Sequence, residues 1–252
     1  MDLKTFFKEN PRFAIAFSGG VDSSYLLYAA IEAGCHVKAY YVNTTFQPQF
    51  ELDDAKKFAY LIQAPMAIEK LDVMQDPVIV SNPADRCYHC KKAIFTRLWA
   101  LARADGFDML CDGTNASDDA STRAGMSALA ELGVRSPLRE CGLPKSEIRR
   151  LSCDAGLFTH DKPSYACLAT RVPTGTEITS ELLTKVEQAE EALHELGFSD
   201  FRIRYLSGAA KIQIPESQFK LLIDKRKKII DAILPYFQHV LVDLVPRKTE
   251  VQ

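Results

Sequence analysis

The chain has 252 residues, 47% of them hydrophobic and 25% charged, with a formal net charge of −2. That length suits one large domain, or a medium one joined to a small one, and the apolar fraction is ordinary for a soluble globular protein. No apolar run approaches membrane-spanning length, so a membrane is set aside, and the lack of an overall basic excess disfavours nucleic acid as a partner.

In chain order, the opening Met1-Asp-Leu-Lys-Thr-Phe-Phe-Lys8 is too short and too charged for a signal peptide, so a cytoplasmic location is expected. The apolar run 13–17 reads as a buried strand, Ser18-Gly19-Gly20 as a tight loop, and Asp22-Ser23-Ser24 as the opening of a helix over 22–33. Two glycines let backbone N–H groups turn toward an anion, and the helix N-terminus adds a positive dipole, so this loop is built to hold a phosphate. No Lys follows the glycines, so the pattern is not G-x-x-x-x-G-K-[ST]. Strands are then expected over 36–43, 66–71 and 107–111, with a further short one near 134–138. Helices are expected over 51–62, 91–104, 121–131 and 145–155, the last opened by Pro144. This alternation, with near-continuous apolar strands, predicts an α/β fold with a parallel sheet covered on both faces. Ligands of such sheets bind beyond the carboxyl ends of the strands, here Ser18–Gly20, Asn43 and Asp112-Gly113-Thr114-Asn115.

A long irregular region, 158–179, carries Cys167 and Arg171 between Pro163 and Pro173. Loops of that length are functional or serve as linkers. The pattern then restarts with a helix over 180–196, strands over 201–206 and 210–214, a helix over 215–234 and a strand over 239–244. The expected layout is therefore a first domain over 1–160, a connecting loop over 161–179 and a small α/β domain over 180–252. The basic run Lys225-Arg-Lys-Lys228 reads as the solvated face of a helix.

Seven cysteines, an odd count without a secretion signal, argue against a disulfide framework. Cys87 and Cys90 have the spacing that lets two sulfurs reach one metal centre, and Cys90 is expected at a helix start, where the dipole favours thiolate. The pair alone fits two cluster ligands, half a zinc site, a redox pair or two core cysteines. Asn82-Pro83 precedes it where a redox unit would have a strand, and no second C-x-x-C completes a zinc site. Cys167 lies in a polar, Pro-bounded loop and reads as a third ligand or a nucleophile. Three cysteines can hold a [4Fe–4S] cluster and leave one iron open for sulfide. Arg202 and Arg204 share one face of an otherwise apolar strand, which favours an anion site. Glu190, taken alone, reads as an exposed helix residue.

The stretch Ser18-Gly-Gly-Val-Asp-Ser23 resembles the S-G-G-x-D-S signature of the PP-loop ATP pyrophosphatases, which split ATP into AMP and pyrophosphate. Together with Tyr88–Lys92, Asp112–Asn115, Asp118-Asp119, Arg123, Cys167–Gly175 and Phe201–Arg204, the chain resembles the LarE family of ATP-dependent sulfur transferases over nearly its whole length. The resemblance implies a PP-loop domain with a smaller α/β domain. It also implies sulfur insertion into pyridinium-3,5-biscarboxylic acid mononucleotide during nickel-pincer nucleotide synthesis. Some members give up the sulfur of their own loop cysteine. Others carry three cysteines that look built for a [4Fe–4S] cluster, and Cys87, Cys90 and Cys167 put this chain with those. By the same resemblance, Ser18, Gly19, Gly20, Asp22, Ser23, Asn43 and Gly113 bind ATP. Asp22 holds Mg²⁺, with Asp112, Asp118 or Asp119 as further candidates, while Arg171, Arg202 and Arg204 hold the substrate. Expected partners are the small nucleotide substrate, sulfide or a sulfur-donor protein, and further copies of the chain in an oligomer such as a hexamer. Two other PP-loop chemistries compete: tRNA thiolation, which calls for a basic face, and ammonia-dependent amidation, which needs no cysteine cluster.

Overall fold

In the computed structural model the described residues are 1–118 and 124–248. Asp119 and Arg123, and the start of the helix expected over 121–131, lie outside them. The elements run α1 (Leu3–Glu9), β1 (Arg12–Ala16), α2 (Val21–Glu32), β2 (His36–Asn43), α3 (Gln49–Leu61), β3 (Met66–Lys70), α4 (Pro77–Val80), α5 (Arg86–Ala104), β4 (Leu110–Cys111), α6 (Ala124–Glu131), α7 (Pro137–Glu140) and α8 (Lys145–Asp154). There follow α9 (Ser180–Glu195), β5 (Arg202–Leu206), β6 (Ala209–Gln213), α10 (Phe219–Asp224), α11 (Arg226–Ile233) and β7 (His239–Val242). Contacts divide the chain into two compact units, Met1–Val73 with Asp85–Tyr165, and Met74–Ala84 with Ala166–Gln252.

In the first unit the strands pair in the order β3-β2-β1-β4, all parallel. Side chains alternate across a strand, so β1 sends Phe13 and Ile15 into one core and Ala14 into the other. On the first face they pack with Leu26, Leu27, Phe58 and Ile148; on the second, Ala14, Tyr40 and Val42 pack with Leu98, Phe107 and Leu110. The expected α/β architecture is therefore present, with apolar layers on both faces of the sheet. The short strand expected over 134–138 is reduced to one parallel bridge, Cys111 with Arg135. Pro137 has no N–H to extend a ladder, and it opens α7 instead.

The second unit holds a three-stranded sheet, β5 antiparallel to β6 and β6 parallel to β7. Thr179 caps α9 by accepting the Leu182 N–H at 3.1 Å. Leu183, Val186, Ala189 and Leu193 from α9 are buried, as are Ile203, Ile212 and Ile233. The helix expected over 215–234 breaks at Lys225, whose backbone leaves helical geometry (φ −101°, ψ 8°). The Lys225 ammonium donates to the Leu196 carbonyl at 2.5 Å. Segment Met74–Ala84 groups with this unit although the expected layout puts it in the first domain. Its Asn82 amide donates to the Pro173 carbonyl at 2.8 Å, and its carbonyl accepts the Gly175 N–H at 2.8 Å.

Candidate functional site

The carboxyl ends of adjacent strands β2, β1 and β4 bring Asn43, the Ser18–Gly20 loop and Gly113 to one edge of the sheet. Gly19 has φ +73°, a conformation that L side chains rarely adopt, and a Cβ there would lie 3.1 Å from Ala55 Cβ. Gly20 precedes α2 without any side-chain cap, so the first-turn N–H groups lack intrahelical acceptors and are available to an anion. The loop is tied to itself: the Ser18 and Ser23 hydroxyls lie 3.0 Å apart, and the Ser23 hydroxyl donates to the Gly20 carbonyl at 3.2 Å. Gly113 packs hard against the same turn, where a Cβ would meet Ser23 N at 2.7 Å. Asn43 ends β2, and its carbonyl accepts the Leu71 N–H at 3.0 Å.

Asp22, in the first turn of α2, pairs through one oxygen with Lys145 Nζ at 2.6 Å. Its other oxygen, Oδ1, is buried with no hydrogen-bond partner. Burial pushes this carboxyl up, and the Lys145 ammonium pulls it back down. An orphaned carboxylate oxygen beside the uncapped first turn of α2 fits a hard cation such as Mg²⁺, which takes one or two carboxylates and completes its shell with other oxygens and water. Asp112 is committed elsewhere, accepting from the Ser136 hydroxyl at 2.7 Å and from the Thr114 hydroxyl at 2.5 Å. Asp118 accepts the Asn115 N–H at 2.9 Å. Lys162 also reaches the loop: its Nζ lies 3.4 Å from the Gly19 carbonyl, 3.1 Å from Glu51 and 2.8 Å from Asp54. Glu51 is buried, which raises its pKa against the pull of Lys162. Lys145, Lys162 and Glu51 escaped the sequence reading. One signal was present: a lysine at the first position of a helix opposes the dipole and calls for another reason to be there.

The cysteine helix begins earlier than expected. α5 starts at Arg86, so Cys90 sits in the second turn and not at the helix start. Cys87 is exposed in the first turn, and Cys90 is 9% exposed. At i and i+3 the two lie on one face of the helix. Arg86 is buried, its guanidinium 3.7 Å from Cys87 Sγ. Cys167 belongs to the second unit, half-buried ahead of the tight turn Leu168–Arg171. Among the described residues no three or more Cys, His, Asp or Glu side chains are grouped to hold a metal ion.

In the second unit Arg171 is 1% exposed and bonds Glu190 in a fork, Nε to Oε1 at 2.8 Å and Nη2 to Oε2 at 3.1 Å. Its Nη1 donates to the Ala166 carbonyl at 2.8 Å and to the Thr170 hydroxyl at 2.9 Å. Arg171 therefore shapes the turn on either side of Cys167. Glu190 also accepts the Ile203 N–H at 2.9 Å, so it is a buried hub and not the exposed residue its helix suggests. Arg202 is buried, and Arg204 donates to Gln213 at 2.6 Å and to the Thr170 carbonyl at 2.7 Å. Burial, then the charges of Arg171 and Arg247, push Arg202 down to about 10 and lower Arg204 as well. Four guanidiniums set against the carboxylates of Glu190, Asp200 and Asp243 leave a positive excess that an oxyanion would relieve.

No protein-family model matches the chain. An uncharacterised protein of Synechocystis sp. is 37% identical over 224 residues, covering 88% of this chain and 83% of the relative. The pyridinium-3,5-bisthiocarboxylic acid mononucleotide synthase of Lactiplantibacillus plantarum is 31% identical over 242 residues, covering 94% of this chain and 87% of that enzyme. An uncharacterised protein of Methanocaldococcus jannaschii is 30% identical over 247 residues, covering 96% of this chain and 93% of the relative.

Proposed function

The chain belongs to the LarE family of sulfur-inserting PP-loop enzymes, and on that premise we propose that it uses ATP to convert the carboxylates of pyridinium-3,5-biscarboxylic acid mononucleotide into thiocarboxylates. The observation that carries this reading is the relationship to the bisthiocarboxylic acid mononucleotide synthase over 94% of the chain. A carboxylate is a poor acylating agent. Its oxygen attacks the α-phosphorus of ATP, the bond to the β-phosphate oxygen breaks, and pyrophosphate leaves with the electron pair. Sulfide then attacks the activated carbonyl and AMP departs. The amides of the Ser18–Ser23 loop would cradle the polyphosphate, with Asn43 and Gly113 at the neighbouring strand ends. Asp22 would hold Mg²⁺, whose chemistry is to offset charge on the departing pyrophosphate; its orphaned oxygen supports that role. The positive excess at Arg202 and Arg204 supports a place there for the phosphate or a carboxylate of the substrate. Arg171 belongs to the same cluster and serves it by holding the Cys167 turn.

The finer proposal concerns the sulfur. Three free cysteines, Cys87, Cys90 and Cys167, would as thiolates make a soft ligand set of the kind that holds a [4Fe–4S] cluster. The i, i+3 placement of the first two supports a shared centre. Anaerobic reconstitution followed by iron and sulfide counts tests this, first on the intact protein and then on Cys167→Ser. Iron bound by the intact protein and lost in the variant supports it; an iron-free, colourless intact protein overturns it. The reaction would require ATP and Mg²⁺, with sulfide or a donor protein as the sulfur source, and further copies of the chain would assemble into an oligomer.

A further inference from the structure

We propose that Arg247 is a further anion-holding residue of the second unit, aimed by Asp200, and that it joins Arg202 and Arg204 in receiving a phosphate monoester. The inference rests on the reading that this cluster holds the substrate nucleotide; it adds a residue to that site and chooses the phosphate over the carboxylates.

The small sheet has two unlike faces. Alternation turns Ile203 and Ile212 to the buried side, and turns Arg202 and Arg204 of β5, opposite Gln213 and Lys211 of β6, to the other. Beyond β7 the chain stays bonded to β6 and its continuation: the Asp243 N–H donates to the Ile212 carbonyl at 2.9 Å, and the Arg247 N–H to the Ile214 carbonyl at 2.9 Å. Arg247 is thereby brought to the end of the sheet where β5 begins. Asp200, just ahead of β5, has φ +46°, in the left-handed region. Its Oδ1 accepts from Arg247 Nε at 3.0 Å and lies 3.9 Å from Arg202 Nη1. One carboxylate oxygen thus stands between two guanidiniums.

Two features set this pair apart from an ordinary surface ion pair. Asp200 takes only Nε, and the Nη1 and Nη2 groups of Arg247 have no hydrogen-bond partner among the described residues, on a side chain 23% exposed. A guanidinium fixed through Nε with its outer edge open is set for an oxyanion. The second feature is charge. Glu190 is taken by Arg171 and Asp243 by Lys211, while Arg204 meets only the neutral oxygens of Gln213 and Thr170. Five cations (Arg171, Arg202, Arg204, Lys211 and Arg247) therefore share three carboxylates (Glu190, Asp200 and Asp243), which leaves two positive charges. A phosphate monoester at neutral pH carries close to two negative charges; a single carboxylate would neutralise only one. Burial, then the charges of Arg171 and Arg247, lowers the pKa of Arg204, so Arg247 acts electrically inside the cluster and not at its margin.

Calorimetric titration of the full chain with pyridinium-3,5-biscarboxylic acid mononucleotide, and with the same compound lacking its phosphate, tests the proposal. Wild type should bind the mononucleotide more tightly than the riboside. Arg247→Met should bind the mononucleotide about tenfold more weakly and the riboside as wild type does. Arg247→Lys keeps the charge without the fork and should fall between them; should Arg247→Met fail to fold, this variant decides. Asp200→Gly suits the positive φ and removes a negative charge, which by charge alone would tighten anion binding. As a positioning residue, Asp200 should instead leave mononucleotide binding several-fold weaker when lost, and unchanged or tighter binding overturns its role. Wild-type affinity in the folded Arg247 variants, an equal loss for both compounds, or a wild type that does not discriminate between them overturns the proposal. A wild type that binds neither compound overturns the underlying reading of the substrate instead. Titration with inorganic phosphate, followed by phosphorus NMR, then decides the anion role: weaker binding by Arg247→Met supports it and equal binding overturns it.

Discussion

Gly113 is bare because the first turn of α2 leaves no room for a side chain: a Cβ would stand 2.7 Å from Ser23 N. Backbone cannot yield as a flexible side chain can, so Gly113→Ala should displace the Ser18–Ser23 loop and weaken the proposed ATP binding, checked by calorimetric titration. Retained wild-type affinity would contradict that packing argument. Arg171 and Glu190 make the other single-residue prediction. With side chains 1% and 7% exposed, removing one charge strands the other. Glu190→Gln should lower stability by about 3–5 kcal/mol in urea unfolding, and the double change Arg171→Met with Glu190→Leu should recover much of it. A double variant no better than the single one would show that the pair, once broken, cannot be replaced by apolar packing. At this scale the turn at Gly19 was legible in the sequence because glycine's conformational freedom is intrinsic. Glu190 was not, because its burial comes from β5, whose Ile203 N–H lies 13 residues away. Lys145 was not, because its partner Asp22 is 123 residues away.

α5 shows how an element boundary changes chemistry. Starting at Arg86, it puts Cys87 in the first turn and exposed, and Cys90 one turn on and buried. In the metal-free protein Cys87 should therefore be alkylated by iodoacetamide well before Cys90, as read by peptide mass mapping; equal rates would contradict this placement of the helix. Strands β1, β2 and β3 were legible to within a residue or so, since buried parallel strands write themselves as apolar runs. The strand expected over 134–138 failed because apolar character cannot offset Pro137 inside a ladder. The long helix expected over 215–234 is two, because the periodicity of α10 and α11 hides the backbone turn at Lys225.

The whole molecule is two compact units, and Met74–Ala84 joins the second through backbone bonds that no periodicity announces. Among the described residues no helix is long and apolar enough to cross a membrane. Family membership follows from the relationship to the synthase, and the orphaned Asp22 oxygen beside the glycine loop supports the proposed adenylation. The most direct measurement of that account is a stoichiometric assay. The protein is incubated under anaerobic conditions with ATP, Mg²⁺, sulfide and pyridinium-3,5-biscarboxylic acid mononucleotide, and the nucleotides are resolved by liquid chromatography and mass spectrometry. The account predicts AMP and pyrophosphate formed in step with a product in which carboxylate oxygen is replaced by sulfur. ADP with phosphate, or untouched ATP beside an unchanged pyridinium nucleotide, would contradict it.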